Sequence, residues 1–336
     1  MVILPVLITL AASMGGEGRG RGGRWAVLRP ALAGVAHGVG IHNKLYPLIY
    51  TVSYMAHFSL KERREAGWPE VMPPLPPATS DSTGGGLYPF PWSRPRRLLR
   101  LVSLWAQRLF LSPASIAFLL ASALSFSILT SAAVLIYGRV ALEEGVLYHL
   151  SRVDHRHNYS MFWYWIYLAR GRAATAAYAS GGSSAAVALL GKLALFLPQA
   201  SLILYASLGV APFDLPLALF CQTFLFVAHN RVVTAQYFVW YLCLLPLCSE
   251  GVRWGSRRTV RALVGLGGSV VLWLGMAYQL EMRGRAVHRW VWAASVAFFA
   301  ANVNLMGAIL ISRVGSGRMG MGLGQRNSVA AGKKMK

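Results

Sequence analysis

The chain has 336 residues, 55% hydrophobic and only 13% charged, and its 33 Lys and Arg against 11 Asp and Glu give a formal net charge of +22 at pH 7. Soluble domains carry about a quarter charged residues, so this composition and a mean hydropathy of +0.47 exclude an ordinary soluble fold and predict an all-α polytopic membrane protein. Nucleic acid is excluded as a partner because the basic residues fall between apolar blocks instead of lining one polar face.

In chain order, residues 1–14 are apolar but short for a span, and they lack the basic leader of a signal peptide. They read as the tail end of a span. Residues 25–41 and 45–60 are two marginal apolar stretches around His42, Asn43 and Lys44. Together, 1–60 forms an N-terminal set of membrane segments. Residues 61–113 combine KERRE, VMPPLPP, TSDSTGGG and RPRRLLR, the composition of a disordered surface loop. The span at 114–137 opens a membrane domain reaching 312, with further spans expected at 190–209, 213–229, 235–249, 260–280 and 290–312. Within it, 138–184 crowds polar and aromatic residues together and is expected to be a structured interfacial loop. Residues 313–336 form a basic tail.

Carboxylates are scarce. The aspartates are Asp81, Asp154 and Asp214, and the only adjacent acids are Glu143 and Glu144. Cys221, Cys243 and Cys248 all sit in apolar runs, so neither a disulfide framework nor a zinc site is expected. No metal or other cofactor is predicted.

Lys and Arg gather on the cytosolic side of membrane proteins. With the C-terminus in the cytosol, alternation of the nine segments places 22 of the 33 basic residues there, 10 opposite and Lys192 within a span. Three polar islands then share the non-cytosolic side. One is His42-Asn43-Lys44; the second runs from Ser151 to Asn158 and includes Arg152, Asp154, His155, Arg156 and His157; the third is His229-Asn230-Arg231 with Gln236 and Tyr237. Ionisable groups at membrane depth are costly and usually mark a cavity or site, and a basic, His-rich, aromatic-flanked face suits a ligand with an anionic head and a lipid tail. Plainer readings stand beside this one: a snorkelling Lys44, a structural ion-pair cluster around Asp154, and an unused glycosylation pattern at Asn158-Tyr159-Ser160.

The motifs HNKLYP at 42–47, LYHLSRVDHRHNYS at 147–160, LFLPQ at 195–199 and HNRVVTAQYFVWYLCLLPL at 229–247 resemble the GPI mannosyltransferase I family, in that family's order. The resemblance implies a multi-span glycosyltransferase of the GT-C class in the endoplasmic reticulum membrane, its site facing the lumen. It implies transfer of the first, α-1,4-linked mannose from dolichyl phosphate mannose to glucosaminyl phosphatidylinositol, and a smaller membrane subunit as partner. On this resemblance His42, Lys44, Arg152, Asp154, His155, Arg156, His157, Asn158, His229, Arg231, Gln236 and Tyr237 bind donor or acceptor. The arginines and Lys44 are expected to hold phosphate, and His155, His157, Asn158 and Gln236 to orient sugar hydroxyls. Lys333 and Lys334 resemble a dilysine retrieval signal. In the family the base is associated with an Asp-X-Asp motif in the first luminal loop, and the sequence contains none. No catalytic residue is therefore assigned, and an N-terminally truncated form, inactive as given, is expected. The alternatives are a binding-only homologue or a membrane lipid transporter.

Overall fold

The computed structural model describes residues 3–14, 24–65, 112–148, 159–178 and 196–314. Among these, every regular element is helical, as lipid demands, because a helix satisfies its own backbone groups. Among the described residues three helices are long and apolar enough to cross a membrane, Pro113–Tyr137, Arg257–Glu281 and His288–Arg313, and they coincide with the spans predicted at 114–137, 260–280 and 290–312. Their faces are largely uncovered: Leu120, Leu124 and Ile128 lie one turn apart along the first, all well exposed, as side chains meeting lipid would be.

The described residues pack as two units. The first comprises those up to Tyr148 together with Ala206–Ala218. Its helices are α1 (Ile3–Met14), α2 (Arg24–Asn43), α3 (Thr51–Glu65) and α4 (Pro113–Tyr137). Helices α2 and α4 run parallel: a Cβ built on Gly34 would lie 2.3 Å from the Phe118 carbonyl oxygen, and one on Gly38 would lie 2.4 Å from that of Ser122. Glycines four apart thus let two backbones touch. Ser125 adds a hydroxyl bond to the Val35 carbonyl at 3.1 Å. Helix α3 runs antiparallel to α4, with Ser115 Oγ donating to Met55 O at 2.7 Å. Between them His37 is buried, 3.0 Å from Thr51 Oγ1 and packed against the rings of Tyr54 and Phe118.

The predicted stretch 45–60 differs at both ends. It opens as a 3-10 turn, Tyr46–Tyr50, with Pro47 near its start, because proline fixes φ and removes a donor. It then continues as helix through the KERRE charges to Glu65, which corrects the assignment of 61–65 to a disordered loop. The Glu62 carboxylate explains the extension. It accepts from the Ser112 hydroxyl and, at 3.3 Å, from the Ala114 amide, placing negative charge at the N-terminus of α4. The Arg64 guanidinium lies 5.8 Å from the Phe213 ring centroid. Gly138, at φ +78°, ends α4. Beyond it Glu143, one of the two adjacent acids, pairs with Arg139 at 2.8 Å on the surface.

The second unit comprises the described residues from Tyr159 to Tyr205 and from Leu219 onward. It contains α5 (Trp163–Tyr178), the first part of the apolar helix α6 (Phe196–Val210), most of α7 (Leu215–Ala228), α8 (Phe238–Leu242), α9 (Leu245–Cys248), α10 (Arg257–Glu281) and α11 (His288–Val314). The predicted span 235–249 is broken into a 3-10 turn and two short helices. Pro246 offers no amide to the Leu242 carbonyl, so α8 cannot run on. Cys221, Cys243 and Cys248 are free thiols. Helices α10 and α11 form an antiparallel hairpin whose inner face stacks Trp273 on Phe298, centroids 5.3 Å apart and planes 18° apart.

Candidate functional site

The second unit holds the densest constellation of predicted site residues. Helix α7 ends at Ala228, and His229 folds back on it: its Nδ1 donates to the Leu225 carbonyl at 3.2 Å, while its ring meets Phe299 edge-on at 4.9 Å. The Asn230 side chain accepts from the Val232 amide at 3.4 Å, a local turn that competes with helix. Arg231 is half-buried, and its carbonyl accepts from Ser160 Oγ at 2.6 Å. Ser160 follows the His/Arg-rich island by two positions in sequence, and its hydroxyl ties this following stretch to the third island.

The 159–161 stretch is fixed from three further directions. The Trp273 indole donates to Tyr159 O at 2.8 Å, the Trp292 indole to Met161 O at 3.2 Å, and the Tyr159 hydroxyl to the Glu281 carboxylate. Burial first, then the hydrogen bond and charge of Glu281, hold the Tyr159 phenol above its ordinary pKa, so it remains the donor. Tyr159 to Met161 line a narrow recess with Val227, Ala228 and Val233 from the third island's flanks and with Ser295, Phe298, Phe299 and Asn302 from α11. The two polar side chains that α11 gives to the recess bond back to their own helix, Ser295 to Val291 O and Asn302 to Phe298 O, which offsets the cost of burying them.

Other predicted residues are placed differently. Tyr237 is buried with its ring 4.4 Å from Trp240, whereas Gln236 is exposed. His42 and Lys44 belong to the first unit, at the end of α2, where His42 Nδ1 is 3.2 Å from Thr130 Oγ1 and both side chains are half-buried. Arg152, Asp154, His155, Arg156, His157, Asn158, Lys333 and Lys334 lie outside the described residues. Ser160, Glu281 and Thr130 are participants the sequence reading passed over. Glu281 left a signal, as a lone carboxylate ending a long apolar run. Ser160 stands out in the sequence only as the last residue of the glycosylation pattern, and its hydroxyl is buried and already donated. Asn158 is therefore expected to stay unmodified, and a mobility shift on N-glycanase treatment would contradict this.

A family model described as Mannosyltransferase (PIG-M) matches residues 93–310. The chain belongs to this mannosyltransferase family. Both the third island and the Ser160 anchor fall inside the matched region, as do α10 and most of α11. The chain is 34% identical over 303 residues to GPI mannosyltransferase 1 of Emericella nidulans, covering 85% of this chain and 62% of that protein. It is 36% identical over 294 residues to the protein of the same name in Neurospora crassa, covering 85% and 55%. With the GPI alpha-1,4-mannosyltransferase I catalytic subunit of Danio rerio it shares 39% over 201 residues, 60% of this chain and 48% of that one. The chain thus spans about half to three-fifths of the length of the curated relatives it matches. No solved structure matches it.

Proposed function

We propose that this mannosyltransferase-family chain acts in GPI-anchor synthesis, in the endoplasmic reticulum membrane with its site toward the lumen. In this reading it transfers the first, α-1,4-linked mannose from dolichyl phosphate mannose to glucosaminyl phosphatidylinositol, alongside a smaller membrane subunit. The names of the relatives support the reaction class. The observation that carries the site is the Ser160–Arg231 bond, 2.6 Å long, which holds the basic third island against the segment that follows the second island in sequence.

The acceptor hydroxyl attacks the anomeric carbon of mannose, and the bond from that carbon to the dolichyl phosphate oxygen breaks, with the electron pair leaving on the phosphate. Arg231, together with Arg152 and Arg156, neutralises that charge, and positioned charge lowers the barrier most where charge develops. Lys44 holds the phosphate of the acceptor or donor. His155, His157, Asn158 and Gln236 orient sugar hydroxyls. The hydroxyl proton passes to a base to which no residue of this chain is assigned.

The test is mannose transfer from labelled dolichyl phosphate mannose to glucosaminyl phosphatidylinositol in membranes carrying the longest reading frame of the gene. Arg231→Ala and Lys44→Ala are expected to reduce transfer roughly ten- to a hundredfold, the weight of a hydrogen bond to a charged group, with membrane insertion intact. Unchanged kinetics in both variants would remove the phosphate assignment. Movement of lipid without transfer would favour the transporter, and binding of both lipids without transfer the binding-only homologue.

A further inference from the structure

The turn joining α10 to α11 is short, tightly bonded and rich in arginine. Gly284 takes φ +59°, the left-handed region that favours glycine. The Arg283 amide donates to Tyr278 O at 3.3 Å, the Arg285 amide to Gln279 O at 3.0 Å, and the Val287 amide to Arg285 O at 2.8 Å. Arg283, Arg285 and Arg289 are all exposed. Arg283 reaches over the Tyr278 ring, 5.7 Å from its centroid, and among the described residues neither Arg285 nor Arg289 is in an ion pair with a carboxylate. Glu281 is the one acid of 281–289, and its carboxylate receives the Tyr159 hydroxyl.

The position of this turn follows from its neighbours. Both flanking helices are long and apolar enough to cross a membrane, so whichever way the chain faces, the turn lies at a bilayer surface, the level of lipid phosphates. Large apolar side chains flank it, with Met282 74% and Trp290 68% exposed, as amphipathic rings at a headgroup boundary are. A soluble anion would meet only mobile, screened arginines here. A lipid offers phosphate and acyl chain together, which matches arginine beside methionine and tryptophan.

We propose that the 282–289 turn binds the headgroup of an anionic phospholipid, its phosphate held by Arg283, Arg285 and Arg289 and its chains lying against Met282 and Trp290. Guanidinium forks suit phosphate oxygens, and their stems rest on apolar surface. The site adjoins the Ser160–Arg231 constellation through the Tyr159–Glu281 bond but uses none of its residues, and it does not depend on the transfer reaction.

The full chain, in nanodiscs of phosphatidylcholine with phosphatidylinositol as the anionic lipid, is examined by native mass spectrometry for retained phosphatidylinositol. The combined variant R283Q/R285Q/R289Q is expected to lose retention, by about fivefold for each arginine removed. The corresponding Arg→Lys variant keeps part of it, since charge remains but the fork does not. R257Q/R258Q, which removes exposed arginines at the opposite end of α10, leaves it unchanged, and dissolved inorganic phosphate does not displace the lipid. Equal retention by the triple Gln variant overturns the proposal. So does an equal loss in R257Q/R258Q, which would mean diffuse attraction, or displacement by inorganic phosphate, which would make the site one for a free anion.

Discussion

Trp273→Ala is expected to destabilise the second unit by about 3–5 kcal/mol, the range for emptying a large aromatic from a packed core. Trp273 is 4% exposed and stacks on Phe298 within a cluster that includes Tyr159, Trp163, Val291 and Ala294. Its indole also carries the hydrogen bond to Tyr159 O. The two contributions separate. Trp273→Phe keeps an aromatic ring against Phe298 but leaves the Tyr159 carbonyl without its donor, at a cost of about 1–3 kcal/mol. Detergent-solubilised protein titrated with denaturant, read by the loss of buried-tryptophan fluorescence, gives both values. A Trp273→Ala protein as stable as its parent would show that α10 and α11 are held by other contacts.

Gly34→Ala and Gly38→Ala bring two opposed effects into one experiment. Glycine inside a helix costs about 1 kcal/mol relative to alanine, so propensity alone predicts that both substitutions stabilise. The new methyl groups, however, would sit 2.3 and 2.4 Å from backbone carbonyl oxygens of α4. A carbonyl cannot swing aside as a side chain can, so the helices must separate along their seam. Overpacking of this kind costs about 1–3 kcal/mol per site, and each variant is expected to be less stable than the parent, the pair together markedly so. Gly267→Ala in α10 is the control, because a Cβ there meets nothing within 4 Å; it should be neutral or slightly stabilising. Thermal aggregation midpoints of the four variants and the parent decide the matter, and a stabilised Gly38→Ala would rule out the close approach.

Hydropathy was sufficient for the long helices because their burial is by lipid, and lipid acts on each segment separately. It failed where neighbours decide. Glu62 looked like part of a solvated charge run, and only the arrival of Ser112 and Ala114, fifty positions later, makes its carboxylate a cap. The break before Pro246 was foreseeable from the missing amide alone. At the candidate site, the basic and His-rich islands stood out because ionisable groups are rare in such a chain. Their tethers did not, since Ser160 works through a main-chain carbonyl and Tyr159 through a carboxylate more than a hundred positions away. Side chains that bond to backbone leave no pattern of spacing to read.

The parallel seam of α2 and α4 also constrains how the protein is made. Neither α2, which carries His37 and Pro30, nor α3, which ends in charges, is among the helices apolar enough to cross a membrane unaided. The partner that closes over Gly34 and Gly38 is synthesised only after α3 and the whole of residues 66–111. Until α4 is translated, the Gly34–Gly38 face and His37 lack the main-chain and Phe118 packing they have in the folded unit. The close packing of this unit is therefore completed by a segment that has yet to be translated when its earlier helices first emerge.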